Sequence, residues 1–350
     1  MTTMLSPQAT PIDRGSSGTR SMAVGVTCGV RQGFGPGRAR EAVEYVASRG
    51  FDGIAFATPT AISPTLERRE LESVRDLAAE RGLYVESGIG SLGPFGDRDR
   101  LRAELEAQID ANLALGCREF FAYTKSDRHH PDQKHSDQLT SVASTMASLA
   151  PRLRAEGLRL NVKTHEDLSS QEVLRLVEEG GTDVFGVSLD VANLVVRGED
   201  PLLATERLAP HVHQTHLEDV SLYLVEGGLR RKLRPCGSGI LDWAGMVRVL
   251  RQHSPANHLT IEQHMGQFGL AVFDPRWFDA EPHATAREVA GLIGGALECE
   301  RRVARGDLPS LEDLEAPVTE GGLLAQLDLG VAHLRQVLDT NNGGHRGSCR

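Results

Sequence analysis

Short apolar runs alternate with segments of helical periodicity along most of the chain. Each run is rich in aliphatic and aromatic residues and is bounded by turn-forming residues, which is typical of buried parallel strands. We predict eight strands, at Met22–Val30, Phe51–Thr58, Leu83–Ser91, Arg118–Thr124, Leu158–His165, Phe185–Asn193, Val212–Asp219 and Leu259–His264.

Helical patterns separate these runs, and glycines such as Gly50 and Gly157 mark several helix ends. The predicted helices are Arg38–Ser48, Leu66–Arg81, Asp97–Leu115, Ser136–Glu156, Ser170–Glu179, Pro201–Leu208, Asp242–Gln252 and His283–Arg302. Eight strand-helix units over about 280 residues have the size and rhythm of a (β/α)8 barrel. The predicted fold class is therefore α/β, with a single TIM-barrel domain at residues 22–305.

The two ends of the chain fall outside this rhythm. Residues 1–21 are rich in Ser, Thr, Gly and Pro, and we expect a disordered leader there. Residues 306–350 form a C-terminal extension with one predicted helix, whose single apolar stripe contains Leu324, Leu327, Val331, Leu334 and Leu338. This stripe packs against the outside of the barrel or, alternatively, forms a subunit contact in a homo-oligomer.

Composition narrows the class of protein. The 350 residues carry 38 Lys and Arg against 48 Asp and Glu, a net charge of -10. Binding to nucleic acid needs an excess of cationic side chains on one face, so we expect no nucleic-acid partner. Neither a membrane span nor a signal peptide is predicted, because long apolar runs are missing. The five cysteines are odd in number and unevenly spaced, so we expect no disulfide framework and a cytoplasmic location.

Titratable residues collect where predicted strands five to eight end. The carboxyl ends of parallel strands meet at one end of a barrel, and residues two apart on a strand face the same side. Four inward-facing sets follow: Asn161, Lys163 and His165; Ser188 and Asp190; Gln214, His216 and Glu218; and Thr260, Glu262 and His264. Such a ring of Asp, His and Glu offers ligands that suit Mn, Mg, Co or Zn.

These strand ends resemble the xylose-isomerase-like barrel superfamily, which includes sugar isomerases and epimerases, inosose dehydratases and the endonuclease IV type of repair enzyme. The resemblance covers about Met22–Arg305 and is carried by KTHED, SLDVAN, QTHLED, RPCGSGILDW and TIEQH. Two further segments resemble a subgroup with decarboxylases of branched keto sugar acids: VRGEDPLLATERLAP and DPRWFDAEPHATAREVA. The resemblance implies a TIM barrel that acts on a small, carbohydrate-like molecule.

The resemblance also implies a divalent metal, held by Glu, Asp, His and Glu from strands five to eight. Three of these positions match as Asp190, His216 and Glu262, but the strand-five Glu is replaced by Lys163. The Lys that is common two residues after the metal-binding His is replaced by Glu218. Two hypotheses remain open. Either the Lys163 ammonium takes the place of the metal, which would repel it, or Glu218 supplies the missing carboxylate and a metal is kept.

The same replacements bear on the reaction. In the family's epimerases, the carboxylates of strands five and eight work as an acid-base pair, and Lys163 breaks that pair. We assign catalysis to Glu262 as the acid-base group, together with Lys163 and His165. This set suits isomerisation, decarboxylation, retro-aldol cleavage or elimination through an enolate. Alternatively, Lys163 forms an imine with a keto substrate or only a structural salt bridge.

Substrate binding is assigned to Arg234, Glu86, Glu218 and His264. Arg234 lies in RPCGSG between strands seven and eight, where barrels often bind phosphate or substrate oxygens. The predicted function is a carbohydrate isomerase or lyase with a small-molecule substrate. A non-catalytic barrel that binds a sugar-like effector is the alternative, and a DNA-repair endonuclease is less favoured because of the acidic composition.

Overall fold

The computed structural model describes residues 22–264, 266–315 and 319–343. The leader predicted at residues 1–21 lies outside this part of the chain. The strands are β1 (Ala23–Thr27), β2 (Gly53–Phe56), β3 (Tyr84–Ser91), β4 (Glu119–Tyr123), β5 (Arg159–Lys163), β6 (Phe185–Leu189), β7 (Val212–Thr215), β8 (Asp219–Val225), β9 (Gly228–Arg234), β10 (His258–Ile261) and β11 (Gln267–Leu270).

The helices alternate with the strands over most of the chain. They are α1 (Ala39–Ser48), α2 (Arg68–Glu80), α3 (Arg98–Ala114), α4 (His135–Glu156), α5 (Ser170–Gly180), α6 (Val191–Leu194), α7 (Pro201–Leu208), α8 (Trp243–His253), α9 (Trp277–Ala280), α10 (Ala286–Ala304) and α11 (Glu320–Gly343). No helix in the described ranges combines the length and the apolarity that crossing a membrane requires.

Eight parallel strands form the predicted barrel, in the order β10, β1, β2, β3, β4, β5, β6, β7. The barrel closes between β7 and β10 through a parallel bridge that pairs Leu217 with Ile261. The Leu217 backbone N–H donates to the Thr260 carbonyl at 2.8 Å, and the Glu262 N–H donates to the Leu217 carbonyl at 3.1 Å. The α/β TIM-barrel prediction is confirmed.

Capping residues in the sequence determine where the helices around the barrel begin. Ser169 begins α5 with a capping box, in which its hydroxyl accepts from the Glu172 N–H and the Glu172 carboxylate accepts from the Ser169 N–H. Asp200 caps α7, whose first residue is Pro201. The two caps therefore fix where α5 and α7 begin, after the strand ends that form the cavity.

A three-stranded antiparallel sheet, in the order β11, β9, β8, is inserted beside the barrel. The sequence pattern does not predict this sheet: predicted strand seven runs to Asp219, whereas β7 ends at Thr215 and Asp219 begins β8. Hairpin pairing of Val225 with Gly228 leaves a two-residue turn, and Gly227 adopts a φ of 84° there. Strand eight was likewise drawn too long, because β10 ends at Ile261.

The helical layer also differs from the prediction. Helix α10, predicted as the eighth helix of the barrel, packs on β8 of the antiparallel sheet. Helix α11 of the C-terminal extension packs against α8, β1 and β10, with Leu327 and Leu334 fully buried. Asp328 on α11 pairs with Arg49 at the end of α1. The apolar stripe of the extension therefore covers the barrel, as one of the two alternatives expected.

Asp219 links the antiparallel sheet by hydrogen bonds to the segment that precedes α8. Its side chain is fully buried and accepts four N–H groups. One carboxylate oxygen accepts from Val220 at 2.8 Å and Leu241 at 3.1 Å. The other accepts from Gly237 at 2.9 Å and from the indole of Trp243 at 2.8 Å. These donors lower the pKa of Asp219, but burial outweighs them and raises it above its usual value.

We expect Asp219→Ala to lower the free energy of unfolding by at least about 3 kcal/mol, because it leaves four buried donors without acceptors. Urea denaturation of the purified protein measures this. As a control, Asp183→Ala removes a carboxylate whose side chain is 56% exposed and pairs with Arg154, and it should lower the free energy of unfolding far less, because water screens an exposed ion pair. Equal losses for the two variants would contradict the role of Asp219.

Candidate active site

A cavity of about 450 Å³ opens at the carboxyl end of the barrel. Its wall contains five of the residues that the sequence analysis selected: Lys163, His165, His216, Glu262 and His264. Aromatic side chains form another part of the wall, among them Phe56, Phe121, Tyr123 and Phe268. The cavity therefore combines charged strand-end residues with apolar surface, which is typical of sites for small molecules.

The Lys163 ammonium is the centre of the charged part. Lys163 is the last residue of β5, and its side chain is 7% exposed. Its Nζ lies 3.2 Å from Oδ2 of Asp190 and donates a short hydrogen bond to Oε2 of Glu262. Burial opposes the charge, but the two carboxylates outweigh it and raise the pKa of Lys163 above its usual value. The side chain therefore stays an ammonium, which disfavours the imine alternative.

Glu262 follows β10 and lines the cavity beside this ammonium. Burial would raise the pKa of Glu262, but Lys163 and the imidazoles of His216 and His264 outweigh it and hold the pKa well below its usual range. Nδ1 of His216 lies 3.2 Å from Oε2 of Glu262, although it is not aligned for a hydrogen bond. Glu262 is therefore a carboxylate at neutral pH.

Asp190 follows β6 and lies behind the cavity wall. Its backbone N–H donates to the Thr164 hydroxyl at 2.7 Å, and its Oδ2 accepts from Asn193 at 2.8 Å. Oδ1 of Asp190 is buried without a partner among the described residues. Burial and the nearby Glu262 carboxylate raise the pKa of Asp190 against the opposing effect of Lys163.

Glu218 and His264 meet beside this group. Glu218 is fully buried, and its Oε1 accepts a hydrogen bond from the His264 backbone N–H at 2.9 Å. Burial, together with Glu262 and Asp190, raises the pKa of Glu218 well above its usual value. Burial also lowers the pKa of the His264 imidazole to about 4. His264 is therefore neutral at pH 7 and can accept or donate one hydrogen bond in the cavity.

His165 also lines the cavity and lies in the chain that follows β5. Its Nδ1 contacts Oδ1 of Asp167 at 2.9 Å, and its ring stacks on Tyr123 at a centroid distance of 5.3 Å. Burial lowers the pKa of the imidazole, but Asp167 and Glu166 outweigh it and raise the pKa. The structure therefore positions His165 as a second proton-carrying group at the cavity.

Three residues assigned to substrate binding do not line the cavity, namely the buried Glu218 described above, Glu86 and Arg234. Glu86 is buried inside the barrel, where Oε1 contacts Nε2 of His258 at 2.8 Å and the Thr260 hydroxyl donates to Oε2. The Glu86 carboxylate therefore already has its hydrogen-bond partners inside the barrel. Arg234 ends β9 and is not part of the cavity wall. Because side chains alternate along a strand, Arg234 faces away from the side on which Arg231 reaches the cavity.

Arg231 is a functional candidate that the sequence analysis missed. Its side chain lines the cavity although the residue is only 1% exposed. Nη1 donates to Oδ1 of Asn193 at 3.3 Å, and the guanidinium lies 5.2 Å from the centre of the Phe268 ring. The alternating apolar residues of β8 and β9 around Glu226 and Gly227 were the available signal, since they indicate a hairpin.

The donor set does not fit a divalent metal in this arrangement. Within residues 22–264, 266–315 and 319–343, no group of three or more His, Cys, Asp or Glu is placed to hold a metal ion. The Lys163 ammonium contacts both Asp190 and Glu262, two of the three implied ligands. The carboxylate of Glu218, the proposed substitute ligand, is hydrogen-bonded to the His264 backbone instead.

Comparisons with curated proteins give two distant relatives. The chain is 28% identical over 170 residues to the uncharacterized protein YihM of Escherichia coli, which covers 45% of this chain and 51% of that protein. It is 25% identical over 198 residues to 3-oxo-isoapionate decarboxylase of Pectobacterium atrosepticum, which covers 56% of this chain and 66% of that protein. The matches thus span about half of the first relative and about two thirds of the second.

Solved structures share the fold at low sequence identity. D-psicose 3-epimerase in the presence of D-fructose has a TM-score of 0.57 at 16% identity, covering 83% of this chain and 100% of that chain. The 3-keto-D-glucoside 4-epimerase YcjR from E. coli has a TM-score of 0.56 at 16% identity, covering 78% and 100%. L-ribulose 3-epimerase has a TM-score of 0.53 at 17% identity, covering 82% and 99%.

The family model described as Xylose isomerase-like TIM barrel matches residues 43–291. This range includes the strand ends that carry Lys163, Asp190, His216 and Glu262. The chain therefore belongs to the xylose isomerase-like TIM barrel family.

Proposed function

We propose that this protein is an enzyme that forms an enolate from a small keto carbohydrate without a metal ion, and that it acts as a lyase. The observation that carries the proposal is the Lys163 ammonium held between Asp190 and Glu262 at the cavity. A fixed cation beside a carboxylate is the arrangement that an enolate-forming reaction needs, because charge develops on the carbonyl oxygen.

Glu262 acts as the base in this proposal. Its carboxylate lines the cavity, whereas Asp190 lies behind the wall and is bound to Asn193. One carboxylate beside the ammonium can remove a proton on one face of a substrate, but two-base epimerisation needs a second on the opposite face. The geometry therefore favours one-base chemistry over the paired-carboxylate reaction.

Carbon–carbon cleavage fits this site as follows. When a 3-oxo acid loses carbon dioxide, the electron pair of the broken bond enters an enolate, whose oxygen accepts a hydrogen bond from Nζ of Lys163. A proton from solvent or from His165 then returns to carbon and restores the ketone. In retro-aldol cleavage, Glu262 removes the hydroxyl proton and the same enolate forms. The distant relative named 3-oxo-isoapionate decarboxylase supports lyase chemistry within this family.

Glu262→Gln should lower the rates of retro-aldol cleavage and of solvent deuterium exchange next to the ketone by about 100- to 10,000-fold, because the amide cannot take a proton. Activity is measured on a panel of keto sugars and keto sugar acids, as release of carbon dioxide or aldehyde and as exchange of solvent deuterium next to the ketone. Glu179→Gln is the matched control, since Glu179 is an exposed carboxylate on α5 that pairs with Arg175, and its turnover should match that of wild type. Full activity of Glu262→Gln would remove its assignment as the base.

Purified wild-type protein should contain far less than one divalent ion per chain, and a chelator should leave its turnover unchanged, because Lys163 already neutralises the carboxylates. Elemental analysis and assays with chelator measure this. Lys163→Glu should bind a divalent ion and lose the native turnover. A stoichiometric ion in the wild type whose removal stops turnover would contradict the metal-free proposal.

A further inference from the structure

Arg231 is a buried cation that the proposed reaction does not use. It lies in the middle of β9, opposite Phe268 of β11 in the antiparallel sheet. The residue is 1% exposed, and it is among the largest fully buried side chains of the described chain. Its side chain nevertheless forms part of the cavity wall. The inserted sheet thus places a guanidinium in the cavity wall at the carboxyl end of the barrel.

The hydrogen bonds of this guanidinium are incomplete. Nη1 makes two long contacts with neutral acceptors, at 3.3 Å to Oδ1 of Asn193 and 3.5 Å to the Ala192 carbonyl. Nε is buried and has no partner among the described residues. The carboxylates that act on Arg231 through space are Glu218, Asp190 and Glu166, but none of them forms an ion pair with it in the described part of the chain. A buried charge without a counter-ion is costly, so this one is available to a ligand.

The charge of the cavity wall differs from that of the whole chain. The chain has a net charge of -10, yet the wall contains three cations, Arg31, Lys163 and Arg231, against the two carboxylates Glu166 and Glu262. Lys163 is matched by Glu262 and by Asp190 behind the wall. Arg31 is exposed to solvent, so the guanidinium of Arg231 is the buried cation of the wall that forms no ion pair with a described carboxylate, and an anionic ligand would complete the site.

We propose that Arg231 binds a carboxylate of the substrate, which makes the substrate a keto sugar acid. The guanidinium fork matches the two oxygens of a carboxylate and forms charge-assisted hydrogen bonds with it. The carboxylate at Arg231 is one that the reaction retains, while the ketone lies at Lys163, so the two cations hold separate groups of the same molecule. This inference rests on the proposed function for the position of the ketone, and it adds the class of substrate.

The test compares two ligands that differ only in the charged group. D-fructuronate is D-fructose in which the terminal hydroxymethyl group is a carboxylate, and calorimetry measures the binding of both to the full-length protein. Wild type should bind D-fructuronate about 10- to 100-fold more tightly than D-fructose. Arg231→Met should remove this preference and leave the affinity for D-fructose unchanged.

Arg230→Met is the matched control. It removes the same charge from the neighbouring position of β9, where the side chain faces the other side of the sheet and contacts Gln267 at 3.4 Å. The preference for D-fructuronate should survive this change. In the absence of ligand, Arg231→Met should keep or raise the Tm, because it removes an unpaired buried charge. A purely structural role of Arg231 would instead lower the Tm.

Three results would overturn the inference. One is equal binding of the two ligands by wild type, including no measurable binding of either; another is a preference that persists in Arg231→Met. The third is tighter, Arg231-dependent binding of D-fructose 6-phosphate, which would assign Arg231 to a phosphate. Failure of the proposed function is a separate outcome: Glu262→Gln would keep its turnover while the preference for the acid still depended on Arg231.

Discussion

The site depends on one ion-pair group, in which the Lys163 ammonium lies between the carboxylates of Asp190 and Glu262. These three residues come from the ends of β5, β6 and β10, so the group joins strands that are distant in the sequence. Two carboxylates this close to each other repel, and burial adds to the cost of their charge. The ammonium offsets both effects. Removing it would leave a buried negative pair, which is why a change at this position requires another cation.

The antiparallel sheet gives this barrel its particular cavity. Asp219 holds the start of β8 to the turn before α8 through four N–H groups. That attachment places β9 so that Arg231 reaches the cavity and Phe268 lies against its guanidinium. Helix α10 packs on β8 through a separate apolar cluster that includes Val220, Leu222 and Leu292. The position of a cavity residue thus depends on packing well away from the barrel axis.

Local sequence predicted the barrel and most of its strand ends, because alternation along a strand is a short-range property. The inward pairing of Asn161 with Gln214, at 2.8 Å, agrees with that alternation, and so does the contact of Lys163 with Glu262. The assignment of Arg234 placed it in the connection between strands seven and eight, whereas Arg234 ends β9 of the inserted sheet. The pairing of β9 with β11 joins segments that are separated by α8 and β10. The local sequence of the short β11 does not predict this pairing.

The predicted helices are all present, but the surface on which α10 packs was predicted wrongly for a similar reason. Both α10 and α11 have apolar stripes. An apolar stripe indicates that one face of a helix is buried, but not which surface it packs against. The barrel surface over β1 and β10 is covered by α11, while α10 packs on β8. Only the three-dimensional path of the chain, set by the inserted sheet, decides between these two surfaces.

The replacement of a metal by an ammonium also changes how a substrate must be held. An ammonium has three N–H donors, and Lys163 already directs two of them at Asp190 and Glu262. One donor remains for a ligand oxygen, whereas a divalent ion can coordinate several oxygens at once. A single hydrogen bond fixes neither the orientation nor the face of a flexible keto sugar. The molecule therefore needs a second strong contact at a distance from the ketone. The guanidinium of Arg231, buried in the wall with an Nε that no described residue contacts by a hydrogen bond, is placed to supply it.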